Sequence, residues 1–183
     1  MKTITGLLLT SLLVLWAGIS SAMAQTYDHS LTITHMEFHW TIDGDKLKFK
    51  LVGKTDGWVG VGFNATNKMK GADIIIGYVE DGETKVSDDF GVRTIGHRPD
   101  EQSGGRDTII SYSGTESDGF TTIECVIALD SGDKEADTVI QPQGKTTVIL
   151  AYGSRDSFRM GHRHAATLEV NLSSGEHSIT AGH

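Results

Sequence analysis

Methionine and histidine are the residues of this sequence best suited to metal or cofactor chemistry. Beyond residue 24 the chain holds Met36, Met69 and Met160, and all eight histidines of the sequence follow that point. Thioether and imidazole groups bind soft and borderline metal ions. Met69 stands in a polar stretch, residues 64–70, between two very apolar segments. Its position alone fits either a ligand or an ordinary exposed side chain.

A second group of such residues is the run Met160-Gly161-His162-Arg163-His164. Residues 160, 162 and 164 have the same parity as Leu168 and Val170, so a strand extended backward would point all three toward the core. This triplet would suit Cu(I) or Zn(II). The alternative is a polar loop before a strand, and the residues alone leave both interpretations open.

Signatures of common enzymes are missing from the sequence. It has no G-x-S-x-G elbow, H-E-x-x-H helix or phosphate-binding loop. The glycine-rich segment 57–62 lies within a strand pattern, where close backbone approach is the expected role of glycine. Cys125 is followed by Val, Ile, Ala and Leu, which excludes a blue-copper loop and favours a buried, inert thiol. The acidic residues concentrate in turns, where solvation explains them. The sequence therefore predicts a binding module and not an enzyme.

Length, composition and charge restrict the class of protein further. The chain has 183 residues, 38% of them hydrophobic and 22% charged, as a folded domain of ordinary size does. The formal charge is −8, which argues against nucleic acid or an anionic membrane surface as a partner. There are 22 glycines but only 2 prolines, which indicates many turns between short strands.

The positions of apolar residues alternate as they do in strands. Lys46 to Leu51 alternate strictly, and turn signals such as Asp43-Gly44-Asp45 follow at short intervals. The predicted strands are 30–42, 46–51, 58–63, 72–79, 85–90, 108–113, 121–128, 146–152 and 166–172. Residues 96–107 are predicted to be irregular. This pattern predicts an all-β, immunoglobulin-like β-sandwich of about nine or more short antiparallel strands.

The first 24 residues are predicted to be a signal peptide. Lys2 precedes an apolar run, residues 7–19, and small residues end in Ala22-Met23-Ala24. The run is shorter than the roughly 20 residues of a spanning helix. We therefore expect a single domain over residues 25–183, periplasmic or secreted, with no membrane span after cleavage.

Several segments together resemble the DOMON family of β-sandwich domains, over roughly residues 30–173. The order and spacing of the matching pieces make the case. They are Gly57 to Phe63, Met69, Gly71 to Gly77, Val86-Ser87-Asp88, Arg98-Pro99-Asp100, Gly104-Gly105, Ala128 to Asp133, Ala151-Tyr152-Gly153 and a histidine before the closing strand. The haem-binding branch of this family includes dehydrogenase cytochrome domains and exported bacterial b-type cytochromes.

What the resemblance implies is an exported electron-transfer module that holds haem b non-covalently. Met69 matches the methionine that ligates the iron in this branch. His162 matches the histidine ligand best, and His164 stays an alternative. Trp58, Phe63, Tyr152 and Phe158 are candidates for the haem wall, and Arg159 or Arg163 for a propionate partner. No C-x-x-C-H is present, which excludes covalent attachment.

Two other functions stay open at this point. Some DOMON relatives bind carbohydrate, which would need exposed aromatic side chains, and beyond the leader the chain has only Trp40 and Trp58. A copper or zinc protein would use Met160, His162 and His164. For the cytochrome, a separate redox protein is expected as electron donor or acceptor. The negative charge predicts a basic patch on that partner and an association rate that falls with ionic strength.

Overall fold

Twelve strands and one short helix make up the computed structural model, which describes residues 26–182. The predicted signal peptide lies outside these residues. In chain order the strands are β1 (His29–Ile33), β2 (Met36–Asp43), β3 (Lys46–Gly53), β4 (Val59–Phe63), β5 (Asp73–Glu80), β6 (Glu83–Arg93), β7 (Gly96–Pro99), β8 (Ser111–Ser117), β9 (Phe120–Ala128), β10 (Thr146–Tyr152), β11 (His164–Val170) and β12 (His177–Gly182). A 3-10 helix spans Asp100–Ser103. Within the described residues, no helix has the length and apolar character needed to cross a membrane.

The strands form two sheets. One has five strands in the order β1-β2-β3-β9-β8, and the other has seven in the order β12-β11-β10-β4-β5-β6-β7. Every neighbouring pair is antiparallel. The prediction of an all-β sandwich is therefore confirmed.

The core lies between the two sheets. In β3 the buried residues Leu47, Phe49 and Leu51 alternate with partly exposed lysines, as the sequence predicts. Phe63 of the seven-stranded sheet meets Phe38 and Phe49 of the other sheet, with ring centroids 6.4 and 6.2 Å apart. These tilted and edge contacts are favourable aromatic geometries. They join the two sheets at the centre of the molecule.

The central part of the outer face of the seven-stranded sheet is also apolar, which is unusual for an antiparallel sheet with one face on the core. All five residues of β4 are buried, so the strand is covered on both sides. Strand pairing places Gly60 beside Ile76 and Ala151, and Gly62 beside Ile74 and Ile149. A sheet face of this composition needs a cover, which two loops supply. The Met69 loop comprises residues 64–72, and the His162 loop comprises residues 153–163.

Four strand predictions differ from the structure, and one of them is the predicted strand 108–113, which is displaced to Ser111–Ser117. The predicted strand 30–42 is divided by a turn, where His35 has φ 59°. Strand β7 lies in the stretch predicted to be irregular, and it pairs with β6 through an interrupted register. Strand β12 was not predicted because all of its residues are exposed, so no apolar alternation marks it.

The single cysteine is predicted to be unreactive in the folded protein. Cys125 is only 2% exposed in β9, and burial raises the pKa of its thiol to about 12. Because the thiolate is the reactive species, we expect no labelling by a thiol-exchange reagent at pH 8 until guanidinium unfolds the chain. Labelling of the folded and unfolded chains at equal rates would contradict this burial.

Candidate cofactor site

A hollow on the outer face of the seven-stranded sheet has a volume of about 610 Å³. Two smaller apolar hollows adjoin it, and Met69 lines all three. The sheet forms the floor of the two smaller hollows: Ile149 and Ala151 line both, and Ile74 and Ile76 line one of them. The main volume is in the range of about 300–1,000 Å³ that is typical of small-molecule and cofactor sites.

Gly60 and Gly62 of β4 add no side chains to this surface of the sheet. A Cβ on Gly62 would stand 3.2 Å from Cγ1 of Ile74, and one on Gly60 would stand 3.3 Å from the Ile75 carbonyl oxygen. Glycine within a strand commonly marks a place where a ligand or another backbone approaches closely. The alternation Val59-Gly60-Val61-Gly62-Phe63 therefore gives one face to the core and leaves room on the other.

Met69 is fixed by the backbone of its loop. Its N–H donates to the Thr94 carbonyl at 3.3 Å, and its own carbonyl accepts from Ala72 N–H at 3.1 Å. Gly91 of β6 binds the loop through two backbone hydrogen bonds. Its carbonyl accepts from Gly71 N–H at 2.7 Å, and its N–H donates to the Ala72 carbonyl at 2.8 Å. A Cβ on Gly91 would be only 1.6 Å from the Met69 carbonyl oxygen. The absence of a side chain there allows the loop to lie against the sheet.

His162 reaches the same hollows from the other loop. It lines two of the three, each together with Met69. The loop is held by the indole N–H of Trp58, which donates to the Met160 carbonyl at 3.0 Å, and by Arg163 N–H, which donates to the Tyr152 carbonyl at 2.8 Å. The structure therefore brings Met69 and His162 to one cavity, although they are far apart in the sequence.

Glycines also allow the His162 loop to pack beside β4. A Cβ on Gly57 would be 2.3 Å from the Arg155 nitrogen, and one on Gly153 would be 2.1 Å from the Trp58 indole nitrogen. Glycines of the segment 57–62 therefore lie where another part of the chain approaches closely, as the sequence predicts. Trp58 is buried beneath the His162 loop as a wall of the cavity.

Met160 and His164 occupy different surroundings. Met160 lines the main cavity and is 47% exposed. His164 begins β11 opposite Tyr152, so the two share the core-side face, with ring centroids 6.1 Å apart. The cavity lies on the opposite face, which Ala165 presents. The expected common orientation of residues 160, 162 and 164 does not occur, because β11 begins only at His164.

His97 is a cavity residue that the sequence analysis missed. It lines two of the hollows together with Met69 and Trp58. Its Nδ1 lies 2.5 Å from Oδ2 of the buried Asp89, which also accepts from Ser87 Oγ. This carboxylate orients the ring, in the way that a histidine beside a metal or cofactor is commonly held. The only signal in the sequence was a histidine in a stretch that had no strand pattern.

Only some of the aromatic residues expected in the wall of the haem site line the cavity. Trp58 and Phe158 line it, whereas Phe63 and Tyr152 lie in the core between the sheets. The rim carries the guanidinium groups of Arg98 and Arg159, together with Gln102. It therefore combines an apolar floor with cationic groups at the edge.

A β-sandwich with a cofactor-sized cavity on its outer face is the class that fold and site define. The chain belongs to the DOMON domain family, whose model matches residues 33–153. This confirms the resemblance inferred from the sequence.

Curated relatives include the DBH-like monooxygenase protein 1 of Mus musculus, 30% identical over 84% of this chain, and that of Homo sapiens, 29% identical over 84%. The chain spans only 25% of the length of each. Among solved structures, the cytochrome b domain of pyranose dehydrogenase from Coprinopsis cinerea matches with a TM-score of 0.56 at 14% identity. That match covers 76% of this chain and 78% of that one. It supports the same fold.

Proposed function

We propose that this chain is an exported haem b-binding electron-transfer module, with Met69 and His162 as the two protein ligands of the iron. The observation that carries the proposal is their convergence. Two loops from distant parts of the chain bring a thioether and an imidazole to one apolar cavity. The family resemblance matches Met69 to the methionine ligand and His162 best to the histidine ligand, with His164 as the alternative.

The residues present fit a non-covalent haem. The sheet surface made by Gly60, Gly62, Ile149 and Ala151 is apolar, which suits contact with the face of a macrocycle. At the rim, Arg98 and Arg159 provide guanidinium groups, whose geometry suits carboxylates such as the haem propionates. The cavity thus offers apolar contact for the ring and polar groups at its edge.

The ligand types favour electron transfer over catalysis. A bound b-type haem supplies a one-electron ferric–ferrous couple. With Met69 and His162 both bound to the iron, no coordination position would be left open for oxygen or substrate. The Met69 thioether favours the ferrous state and raises the reduction potential relative to harder ligands. Asp89 holds His97 against the same cavity, where its ring lends polarity to one wall.

The proposal extends to the context of the chain. The predicted signal peptide implies export to the periplasm or the medium. We expect electrons to pass to and from a separate redox protein. We expect no catalytic reaction by this domain itself, in contrast to the names of its monooxygenase-like relatives.

The two alternative functions have less structural support. Among residues 26–182 both tryptophans are buried, Trp40 at 0% and Trp58 at 5% exposed, so neither forms a platform for a sugar ring. Met160 and His162 face the cavity while His164 shares the opposite face with Tyr152. A copper or zinc site built from all three would need the start of β11 to rearrange.

Absorption spectra of five proteins test the proposal. The chain is produced with ample haem, and spectra are recorded oxidised and then reduced with dithionite. We expect a low-spin, six-coordinate spectrum for the parent chain and its loss in Met69→Ala and His162→Ala. His164→Ala and Met160→Ala, which remove side chains from the same segment, should retain it.

Two outcomes would count against the proposal at different levels. A protein that takes up no added haem would contradict the function itself. A spectrum disturbed only by His164→Ala would keep the function and replace His162 as the ligand.

A further inference from the structure

Four aspartates come together near the core-side face of β5 and β6, the face opposite the cofactor cavity. Asp73, Asp88 and Asp137 each place a carboxylate oxygen within 4.8 Å of the other two. Asp100 interacts electrostatically with all three. Asp73, Asp88 and Asp100 are at most 6% exposed. The expectation that solvation in turns explains the acidic residues is therefore wrong for this group, which we call the aspartate cluster.

The register of β5 and β6 creates the cluster. Asp88 pairs with Ile75, so Asp88, Ile75 and Asp73 share the core-side face of the sheet. Asp100 begins the 3-10 helix that follows β7, and Asp137 comes from the loop between β9 and β10. The cluster thus joins two paired strands to two separate connecting segments.

Several of these oxygens are buried without a hydrogen-bond donor. Asp88 Oδ2 accepts from Thr108 N–H at 2.8 Å and from Thr108 Oγ1 at 3.0 Å. Asp88 Oδ1, Asp137 Oδ1 and both carboxylate oxygens of Asp100 accept no hydrogen bond from a donor outside the cluster and have almost no contact with solvent. A buried carboxylate with no partner is strongly unfavourable. These oxygens require either protons, one of which the neighbouring Asp100 and Asp137 carboxyl groups could share, or a cation.

Positive side chains do not supply the balancing charge. None of the salt bridges found within residues 26–182 involves a member of the cluster. Burial, with a further contribution from the neighbouring carboxylates, raises the pKa of Asp88 to about 7 and that of Asp100 to about 9. Burial also raises the pKa of Asp73.

We propose that the aspartate cluster is a binding site for one divalent cation of the calcium class. The donors are carboxylate oxygens, which hard cations prefer, whereas zinc and copper sites use nitrogen and sulfur. The carboxylates of Asp73, Asp88 and Asp137, with Asp100 beside them, can supply the several oxygen ligands that Ca²⁺ takes in flexible geometry. Mg²⁺ demands a near-ideal octahedron and keeps most of its waters. The unpaired oxygens of Asp88, Asp100 and Asp137 are the atoms that gain a partner.

A cation here would fix β6 next to the cofactor cavity. Asp88 points into the cluster, while its neighbour Asp89 points to the opposite face and holds His97. Asp100 likewise follows β7, which carries His97. The site is separate from the haem ligands, so the proposal stands whether or not the chain binds haem.

Thermal unfolding of the purified chain, in EDTA and then in 10 mM CaCl₂, tests the site. Binding to the folded state alone should raise the melting temperature by about 3–10 °C, for affinities typical of extracellular calcium modules. Isothermal titration with CaCl₂ should give one site per chain. MgCl₂ at the same concentration should give a smaller shift.

For the variant Asp88→Asn, the difference in melting temperature from the parent chain should change sign between EDTA and CaCl₂. A purely structural role of Asp88 would not produce this change. In EDTA the variant should melt at or above the parent temperature, because one repelling carboxylate is gone. In CaCl₂ it should melt below the parent, because a ligand is missing. Asp81→Asn is the matched control, since Asp81 is exposed in a turn and is not in the cluster. It should keep the full calcium shift.

Two results would overturn the proposal. One is a parent chain whose melting temperature is the same in EDTA and CaCl₂, with no heat of binding. The other is an Asp88→Asn variant with the same calcium shift as the parent. In either case the carboxylates share protons and hold no cation.

Discussion

Replacing Met69 with histidine is expected to leave the haem six-coordinate and low-spin while lowering its midpoint potential by on the order of 100 mV. The loop backbone holds residue 69 at the cavity through hydrogen bonds to Thr94 and Ala72, which do not depend on the side chain. An imidazole in place of the thioether stabilises the ferric state more strongly. Potentiometric titration with optical detection measures both the spin state and the potential.

Met160→His is the matched control for this substitution. Met160 also lines the main cavity, but it is 47% exposed and belongs to the other loop. Its replacement should change neither the coordination nor the potential by a comparable amount. If Met69→His leaves the potential unchanged while Met160→His lowers it, the thioether ligand has been assigned to the wrong loop.

The substitution Gly91→Ala is expected to destabilise the fold by about 3 kcal/mol and to weaken haem binding at least tenfold. The new Cβ would stand 1.6 Å from the Met69 carbonyl oxygen and 3.1 Å from the Ala72 nitrogen. Both are backbone atoms, so no side-chain rotation can relieve the overlap. The Met69 loop must move away from β6, and the hydrogen bonds of Gly71 and Gly91 must break. Urea unfolding and haem titration measure the two effects.

Gly96→Ala is the control for this glycine. Gly96 lies in the neighbouring strand β7, where a Cβ would meet nothing closer than the Arg93 side chain at 3.9 Å. We expect a change in stability of less than about 0.5 kcal/mol, the usual range for surface sites. Equal stability of Gly91→Ala and the parent would show that the Met69 loop does not pack against β6.

The sequence predicts the parts of the fold that depend on alternation along the chain. Strand β3 is recognisable because Leu47, Phe49 and Leu51 alternate with lysines, and each reaches the core. Strand β7 pairs with β6 through only three residues and an irregular register, so it has no apolar period to detect. Strand β12 is exposed along its whole length, and its formation depends on the edge that β11 offers.

The candidate site was accessible from the sequence only through residue types and family spacing. Met69 stands out because a methionine is unusual in a polar loop, and His162 because of its distance from the closing strand. No local pattern could show that His162 and His164 point to different faces, because this depends on where β11 begins. His97 could not be predicted as a site residue, because the sequence does not show that its strand brings it next to Asp89.

The aspartate cluster could not be predicted from the sequence for a different reason. Asp73 has the parity of the buried Ile75, which is a sign of a carboxylate on the core face. Its partners Asp88, Asp100 and Asp137 come from three other segments, and only the strand register and the connecting loops bring them together. Sequence distance and the frequent occurrence of aspartate in turns concealed this arrangement.

Titration of the haem-free chain with ferric haem, followed by both visible absorption and tryptophan emission, tests the central claim most directly. Trp58 lines the cavity and Trp40 lies in the core of the same small domain, so a haem bound in the cavity would quench the emission of both by energy transfer. We predict saturation at one haem per chain, quenching that saturates at the same ratio, and a low-spin spectrum that is lost in the double variant Met69→Ala/His162→Ala. A linear, unsaturated absorbance, or a low-spin spectrum that persists in the double variant, would show that the cavity on the outer face is not a haem site.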